Sequence, residues 1–353
     1  MGRLRAWLVA MVLLVAVVGG CSSDDSTDVA QSDLAAAASS GKTPSSSSTP
    51  SSSSTSSSST TTTLRSLEDH AVGGHKVELV DASRPTAADP GRGLPEEPDR
   101  TIPVLVLYPA EGEPDEAVTV TKEAPAADSE FPLVVFSHGV TATGDVYLGR
   151  LSRWARAGYI VAAPTYPRTS GPGAQIHDFV NQPDDIDFVI DELLSRAEAP
   201  DHVLHDRIDE EHIAIAGHSL GAITTIGAAF NSCCHDPRID AAIEIAGIEV
   251  PFPDGSYDDW PGVPLLAIHG EKDGTVPSGG SEALFAKAEP PAYFLRYPNA
   301  GHSDLLAGPS GDLLDDVVVA FLDRYLKDDT RRLEAVPDDV AASGLASLEV
   351  NET

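Results

Sequence analysis

The sequence is poor in lysine and cysteine, and each shortage excludes a class of protein. Its 353 residues contain 23 Lys and Arg, of which six are Lys, against 55 Asp and Glu, so the formal net charge is −32. Without clusters of basic residues the chain offers few phosphate contacts, so we expect neither nucleic-acid binding nor attraction to anionic headgroups. Three cysteines are too few for a disulfide scaffold.

A long membrane-spanning apolar run is also missing. The run Ala6–Val18 has thirteen residues, follows Arg3 and Arg5, and is typical of a signal peptide over residues 1–20 rather than of a spanning helix. It leads into Val-Gly-Gly-Cys, ending at Cys21, which resembles a bacterial lipobox and implies that Cys21 is lipidated. The alternative is an ordinary secretory signal with a coincidental cysteine.

Residues 21–66 contain the predicted lipidated cysteine and a tether rich in serine and threonine. From residue 39 to residue 63, 21 of 25 positions are Ser or Thr, so this segment cannot bury enough apolar area to offset its chain entropy. We therefore expect a protein anchored through lipid alone to the outer face of a bacterial cytoplasmic membrane, reaching the cell wall or released from the cell.

Residues 67–330 alternate between apolar strand-like runs and helical patterns. This alternation predicts one α/β domain with a doubly wound, mostly parallel sheet of eight strands and helices on both faces. The predicted strands are Lys76–Val80, Ile102–Tyr108, Leu133–Ser137, Tyr159–Ala163, Ile213–Ala216, Ala242–Ala246, Pro264–His269 and Ala292–Tyr297. The predicted helices are Val146–Ala157, Asp184–Ser195, Leu220–Asn231, Glu282–Ala288 and Leu313–Leu326. Residues 331–353 have little apolar content and are predicted to be a loose acidic tail.

The most informative motif is the Gly-x-Ser-x-Gly centred on Ser219. It lies between the apolar run 213–216 and a helical run, the context that predicts a nucleophile elbow. Gly217 and Gly221 leave room where strand and helix crowd together, and His218 completes the turn. Ser219 is therefore the predicted nucleophile.

A serine nucleophile needs a base and a group that orients the base. Asp273 follows the strand-like run Pro264–His269, and His302 follows the run Ala292–Tyr297. The chain order of serine, acid and histidine is the one expected in this fold class, and all three lie after strand ends, where α/β sheets form their sites. We predict that His302 accepts the Ser219 proton and that Asp273 orients His302.

Three other acidic residues are alternatives to Asp273. Glu271 lies at the end of the same strand, and Glu249 and Asp254 follow the preceding strand, where some enzymes of this fold carry the acid. Asp273 is preferred for its position.

Two backbone N–H groups are predicted to form the oxyanion hole. The first belongs to Leu220, which directly follows the nucleophile, and the second to Val140, in the His-Gly turn after the run 133–136. Fixed donors of this kind stabilise the charge that develops on the carbonyl oxygen.

Together these motifs resemble the α/β-hydrolase superfamily. The most similar groups are bacterial esterases like platelet-activating-factor acetylhydrolases and dienelactone hydrolases, with polyester hydrolases (cutinase-like enzymes) and chlorophyllases as cousins. The resemblance covers most of 75–327 and also rests on segments 80–86, 100–103, 107–109, 137–142 and 321–326. Dienelactone hydrolases have a cysteine where this chain has Ser219, which argues against that substrate. The aromatic clamp of polyester hydrolases has no counterpart in register after 245–249.

The remaining features refine the prediction. Only 17 residues separate the sixth and seventh predicted strands, from Gly247 to Val263, which excludes a large cap domain and favours short-acyl or surface-presented esters. Cys233 and Cys234 are adjacent, and a disulfide between them, two buried thiols and pairing with another chain all remain open. His202 and His205 lack a third ligand at metal-site spacing, so we predict no metal and no cofactor.

The sequence thus predicts an extracytoplasmic, monomeric serine hydrolase that cleaves carboxylic esters through an acyl-enzyme. Two alternatives remain. A peptidase or amidase would keep the chemistry and change the bond, although such enzymes usually add a gating domain. A binding or adhesion lipoprotein with a vestigial site would belong to another class, and the intact triad motifs argue against it.

Overall fold

A computed structural model describes residues 69–115 and 118–352 of the chain. The predicted signal peptide 1–20, the lipidation site Cys21 and the tether 21–66 lie outside the described residues.

In the described part of the chain, ten strands form a single sheet. The strands are β1 (Ala71–Asp81), β2 (Arg100–Ala110), β3 (Val120–Lys122), β4 (Phe131–Ser137), β5 (Ile160–Pro164), β6 (Ile208–His218), β7 (Ile239–Ile245), β8 (Leu265–Gly270), β9 (Ala292–Tyr297) and β10 (Ser347–Asn351). Their spatial order is β10-β9-β8-β7-β6-β4-β5-β2-β1-β3. The central strands β5, β4, β6, β7, β8 and β9 are parallel. At one end of the sheet β2 runs antiparallel to both β5 and β1, and β3 is parallel to β1; at the other end β10 runs antiparallel to β9. The predicted mostly parallel sheet is confirmed.

Six α-helices accompany the strands within the described residues. They are α1 (Leu148–Arg156), α2 (Gln182–Ala197), α3 (Leu220–Phe230), α4 (Gly279–Lys287), α5 (Gly308–Leu326) and α6 (Arg331–Ser343). The helices divide between two apolar clusters, one on each face of the sheet. α1, α5 and α6 pack on one face, and α2, α3 and α4 contribute to the cluster on the other face. Every residue of β4, β5 and β8 is buried, as expected for strands covered on both faces.

All eight predicted strands are present, but the prediction of eight strands in total is wrong. Two short strands extend the sheet at its edges: β3 pairs with β1, and β10 pairs with β9. β3 has only three residues and β10 is largely exposed, so neither carries the buried apolar run that predicts a strand.

The prediction of a loose tail over residues 331–353 is also wrong. Residues 331–343 form α6, and the following chain returns to the sheet as β10. Leu333, Val336 and Val340, spaced three and four residues apart, are buried in the same apolar cluster as α5. Acidic residues surround these three apolar residues, so the overall apolar content of the segment is low and did not indicate a buried helix.

The segment between β7 and β8 determines how open the carboxyl edge of the sheet is. Residues 246–264 are all described, and they contain neither a helix nor a strand, in agreement with the predicted lack of a cap domain. Among residues 69–352 as described, no helix combines the length and apolar character needed to cross a bilayer.

Candidate active site

Ser219 occupies a strained turn between β6 and α3. Its φ of 58° and ψ of −118° lie outside the regions that side-chain-bearing residues normally adopt. A Cβ at Gly221 would collide with the Ser137 carbonyl oxygen, and one at Gly217 would collide with the Gly221 carbonyl. The two glycines therefore allow the close approach that presents Ser219 at the edge of the sheet, as expected for a nucleophile elbow.

The structure brings Ser219, His302 and Asp273 together. His302 Nε2 lies 2.8 Å from Ser219 Oγ, and His302 Nδ1 lies 2.6 Å from Asp273 Oδ2. Both spacings are within hydrogen-bond reach for a nucleophile, its base and the group orienting the base. Ser219 itself is largely buried, with 9% of its surface exposed.

Asp273 is held by four hydrogen-bond donors. Its Oδ1 accepts the backbone N–H groups of Thr275 at 2.7 Å and Val276 at 2.8 Å, while Oδ2 accepts His302 and, at 3.1 Å, Nε2 of His269. Burial alone would raise the pKa of Asp273, but the hydrogen bonds from the two histidines and from Val276 outweigh it and hold that pKa well below its usual value. Asp273 is therefore ionised whenever the site is folded near neutral pH.

The three alternative acids lie away from this arrangement and have other surroundings. Glu249 forms an ion pair with Lys287, and Glu271 lies 3.8 Å from Arg296. Asp254 is exposed in the loop after β7. The geometry thus favours Asp273 as the orienting acid.

The loop after β4 lies directly beside the nucleophile. A Cβ at Gly139 would lie 3.2 Å from Ser219 Cβ, so the neighbouring Val140 is close to the place where an ester carbonyl would bind. Within the described residues, the backbone N–H groups of Val140 and Leu220 donate no hydrogen bond to the protein. Leu220 begins α3, where the first N–H groups have no partner inside the helix.

His138 holds the loop after β4 in place. Its Nε2 accepts the Tyr166 backbone N–H at 3.1 Å, and its Nδ1 donates to the Gly139 carbonyl at 2.8 Å. Burial lowers the pKa of His138 to about 4, so the ring is neutral and both of its hydrogen bonds persist at neutral pH. The Tyr166 hydroxyl also lies 2.7 Å from Ser137 Oγ, which ties the same loop to the segment after β5.

His218 lies between the elbow and His302. Its ring packs 4.9 Å from the His302 ring, its Nδ1 lies 2.9 Å from the Tyr147 hydroxyl, and its Nε2 donates to the His302 carbonyl at 3.1 Å. Burial, followed by the nearby His302, lowers the pKa of His218 to about 4. A cavity of about 600 Å³ opens beside His218 and is also lined by Tyr147, Ser303 and Leu306.

Cys233 and Cys234 lie just beyond the end of α3 and are joined by a disulfide in the structure. The Cys233 backbone N–H donates to the side chain of Asn231 at 3.1 Å. Of the three alternatives that the sequence leaves open, the structure shows the disulfide between Cys233 and Cys234.

Comparison with known proteins agrees with this architecture. The family model for chlorophyllase matches residues 104–249. Among 839 matching chains of solved structures is a ferulic acid esterase from Streptomyces cinnamoneus, with 23% sequence identity, a TM-score of 0.55, and coverage of 73% of this chain and 91% of that chain. The chain has the α/β-hydrolase fold. Among curated proteins, none matches it in sequence.

Both matches agree with the predicted fold. They do not identify a reaction or a substrate, because the fold hosts many functions and specificity depends on the individual site.

Several residues that support this site were not predicted from the sequence. Tyr147 and Tyr166 come from segments with no recognisable motif, and their roles depend on the tertiary approach of α1 and of the segment after β5. His269 is different, because it is a histidine at the end of a buried strand, four residues before the predicted acid. That spacing alone could have indicated that His269 lies next to the predicted acid.

Proposed function

We propose that this protein is an extracytoplasmic, monomeric serine hydrolase that cleaves carboxylic esters through an acyl-enzyme intermediate. The observation that carries the proposal is the unbroken hydrogen-bond chain from Asp273 through His302 to Ser219.

In the first half-reaction, Ser219 Oγ attacks the ester carbonyl while its proton moves to His302 Nε2. The N–H groups of Val140 and Leu220 donate to the resulting oxyanion, and Asp273 stabilises the His302 imidazolium. The imidazolium then gives its proton to the alkoxy group as the carbon–oxygen bond breaks. The alcohol leaves, and the acyl group remains on Ser219.

In the second half-reaction, His302 removes a proton from water as the water attacks the acyl carbonyl. Collapse of this second oxyanion breaks the bond to Ser219 Oγ, which recovers its proton from His302, and the carboxylic acid is released. The chemistry requires no cofactor or metal. The open loop 246–264 favours short-acyl or surface-presented esters over long buried lipid tails.

Labelling with a fluorophosphonate tests the mechanism. The wild-type protein should be labelled, the Ser219→Ala variant should not, and both should fold equally well by circular dichroism. Equal labelling of the two proteins, or no labelling of folded wild-type protein, would overturn the proposal. A panel of matched esters and anilides, including methyl ferulate because a solved neighbour is named for ferulic acid, then separates an esterase from an amidase.

The proposed location rests on the sequence of residues 1–66. The signal peptide, Cys21 and the Ser/Thr-rich tether support a lipid-anchored enzyme on the outer face of the cytoplasmic membrane. Radiolabelled palmitate should enter the wild-type protein in a bacterial host and not the Cys21→Ala variant. Incorporation that persists in the variant would overturn the anchoring proposal.

A further inference from the structure

A second histidine lies behind the triad acid. His269 is fully buried at the end of β8, and its Nε2 lies 3.1 Å from Asp273 Oδ2 and 3.0 Å from the Val276 carbonyl oxygen. The proposed ester-cleavage mechanism does not use this side chain. Its contact with Asp273 nevertheless places it one hydrogen bond away from His302.

The partners of His269 determine where its proton lies. Nε2 faces a carboxylate and a carbonyl, both of which only accept hydrogen bonds, so Nε2 carries a proton whether the ring is neutral or charged. Nδ1 lies 2.6 Å from Ser281 Oγ, a hydroxyl that donates to the neutral ring and accepts from the charged one. The site therefore tolerates both charge states of His269 while keeping the Nε2–H directed at Asp273.

A buried carboxyl group lies on the far side of this histidine. Glu244 of β7 is fully buried, its Oε2 accepts the Gly247 N–H at 2.9 Å, and its Oε1 has no hydrogen-bond partner within the described residues. Burial raises the pKa of Glu244, and the nearby His269 opposes this rise. Ser281 bridges this region, because its hydroxyl also lies 3.4 Å from the Gly247 carbonyl.

The charged neighbours of His269 are few. Asp273 faces it from the loop after β8 and Glu244 from β7, while α4 contributes the uncharged Ser281. Arg296, its register neighbour on β9, is engaged by Glu282 and Glu349. Burial alone would lower the pKa of His269, but the hydrogen bond to Asp273 and the charge of Glu244 outweigh it and raise that pKa.

We propose that His269 is a positioning residue for the triad: its Nε2–H fixes Asp273 Oδ2 in front of His302 and takes up part of the carboxylate charge. The inference rests on the proposed esterase activity. Because Oδ2 serves both histidines, loss of the His269 donor leaves more negative charge on the oxygen that faces His302. That change favours the His302 imidazolium and at the same time loosens the orientation of the acid.

The test compares three full-length variants with the wild-type enzyme on a neutral short-chain ester. His269→Phe removes the donor, His269→Gln places an amide N–H near the position of Nε2, and His75→Phe removes a histidine from β1, away from the triad. His269→Phe should lower kcat about tenfold, the size expected when a partner that orients a catalytic group is lost. Its KM should stay within about threefold of the wild-type value, since the contact lies behind the acid and away from bound ester.

The pH profile is the readout that a purely structural role would not move. The fall of kcat/KM at low pH should shift to higher pH in His269→Phe and return toward the wild-type position in His269→Gln, with kcat restored in parallel. His75→Phe should leave both quantities unchanged. Equal losses in the Phe and Gln variants, or an unshifted profile in folded His269→Phe, would overturn the proposal.

A measurement on the wild-type protein covers the case in which His269→Phe fails to fold. In protein labelled with ¹⁵N-histidine, the His269 signals, assigned by their loss in His269→Gln, should show a protonated Nε2 at every pH. A neutral ring protonated at Nδ1 would overturn the proposal. Absence of fluorophosphonate labelling in the wild type would instead refute the esterase activity, and the ¹⁵N spectrum would still report on His269.

Discussion

The Tyr147 hydroxyl lies 2.9 Å from His218 Nδ1, and this contact links the two sides of the active site. The same hydroxyl accepts the Gly139 backbone N–H at 3.2 Å, and His218 donates onward to the His302 carbonyl at 3.1 Å. Because His218 Nε2 is the donor, its Nδ1 accepts the Tyr147 proton. The Tyr147 hydroxyl thus connects the loop after β4 to the backbone of His302.

Tyr147→Phe should reduce kcat about tenfold, since the loss of one buried hydrogen bond of 1 to 2 kcal/mol at the transition state corresponds to roughly that factor in rate. KM should change little, because the hydroxyl orients catalytic groups. Tyr108→Phe is the matched control: it removes a buried hydroxyl that donates to the Ala124 carbonyl at 2.8 Å on the far side of the sheet. Equal kcat values in the two variants would contradict the role of Tyr147.

The contribution of His138 and His218 to stability should be lost between about pH 6.5 and pH 4. His138 and His218 have pKa values lowered to about 4 in the folded protein from 6.5, so the unfolded chain binds more protons in this range. A histidine whose pKa is lowered by folding contributes its full share of stability at pH values above its pKa in the unfolded chain. That contribution is lost as the pH falls toward its pKa in the folded protein. At 1.36 kcal/mol per pKa unit, each histidine accounts for about 2 to 3 kcal/mol by pH 4.5.

Urea unfolding of wild type and His218→Gln at pH 7 and pH 4.5 measures this effect. The variant keeps an amide in the elbow and cannot be protonated, so its free energy of unfolding should fall less between the two pH values. An equal fall in both proteins would show that the protonation of His218 does not contribute.

Arg100→Met should destabilise the protein by about 3 to 5 kcal/mol, the usual cost of leaving buried carboxylates unpaired. The Arg100 guanidinium is 1% exposed and forms two bonds of 2.6 Å to Asp185 and one of 2.8 Å to Asp178. Arg331→Met is the control, because Arg331 forms a solvent-exposed pair with Asp329 that should contribute little to stability. Similar urea midpoints for the two variants would refute the importance of the buried pair.

Val336→Ala tests whether α6 belongs to the folded core. The side chain is fully buried against the sheet cluster, so its truncation should lower the free energy of unfolding by about 1 to 3 kcal/mol. Val350→Ala on β10 removes the same two methyl groups from a residue that is 44% exposed, and should cost under about 0.5 kcal/mol. If both substitutions are neutral by thermal unfolding, residues 331–343 do not stabilise the domain.

Much of the candidate site could be predicted because its chemistry is encoded locally. The elbow around Ser219 needs two glycines at set positions, and the spacing of strand ends before Asp273 and His302 places both side chains at one edge of a parallel sheet. The supporting residues are different. Tyr147 reaches His218, and His138 reaches Tyr166, across 71 and 28 residues of chain, which no local pattern encodes.

The strands at the edges of the sheet show the same contrast between local sequence patterns and contacts made by distant segments. Buried strands such as β4 and β8 are continuous apolar runs and could be predicted from the sequence. β10 is largely exposed and could not. The sequence by itself determined the fold class and predicted the nucleophile, the acid and the base, because these depend on short motifs and on apolar periodicity. Only the tertiary structure decided that Asp273 is shared by His302 and His269, and that residues 331–351 complete the sheet. Both depend on contacts between distant segments, which form only when the whole chain packs.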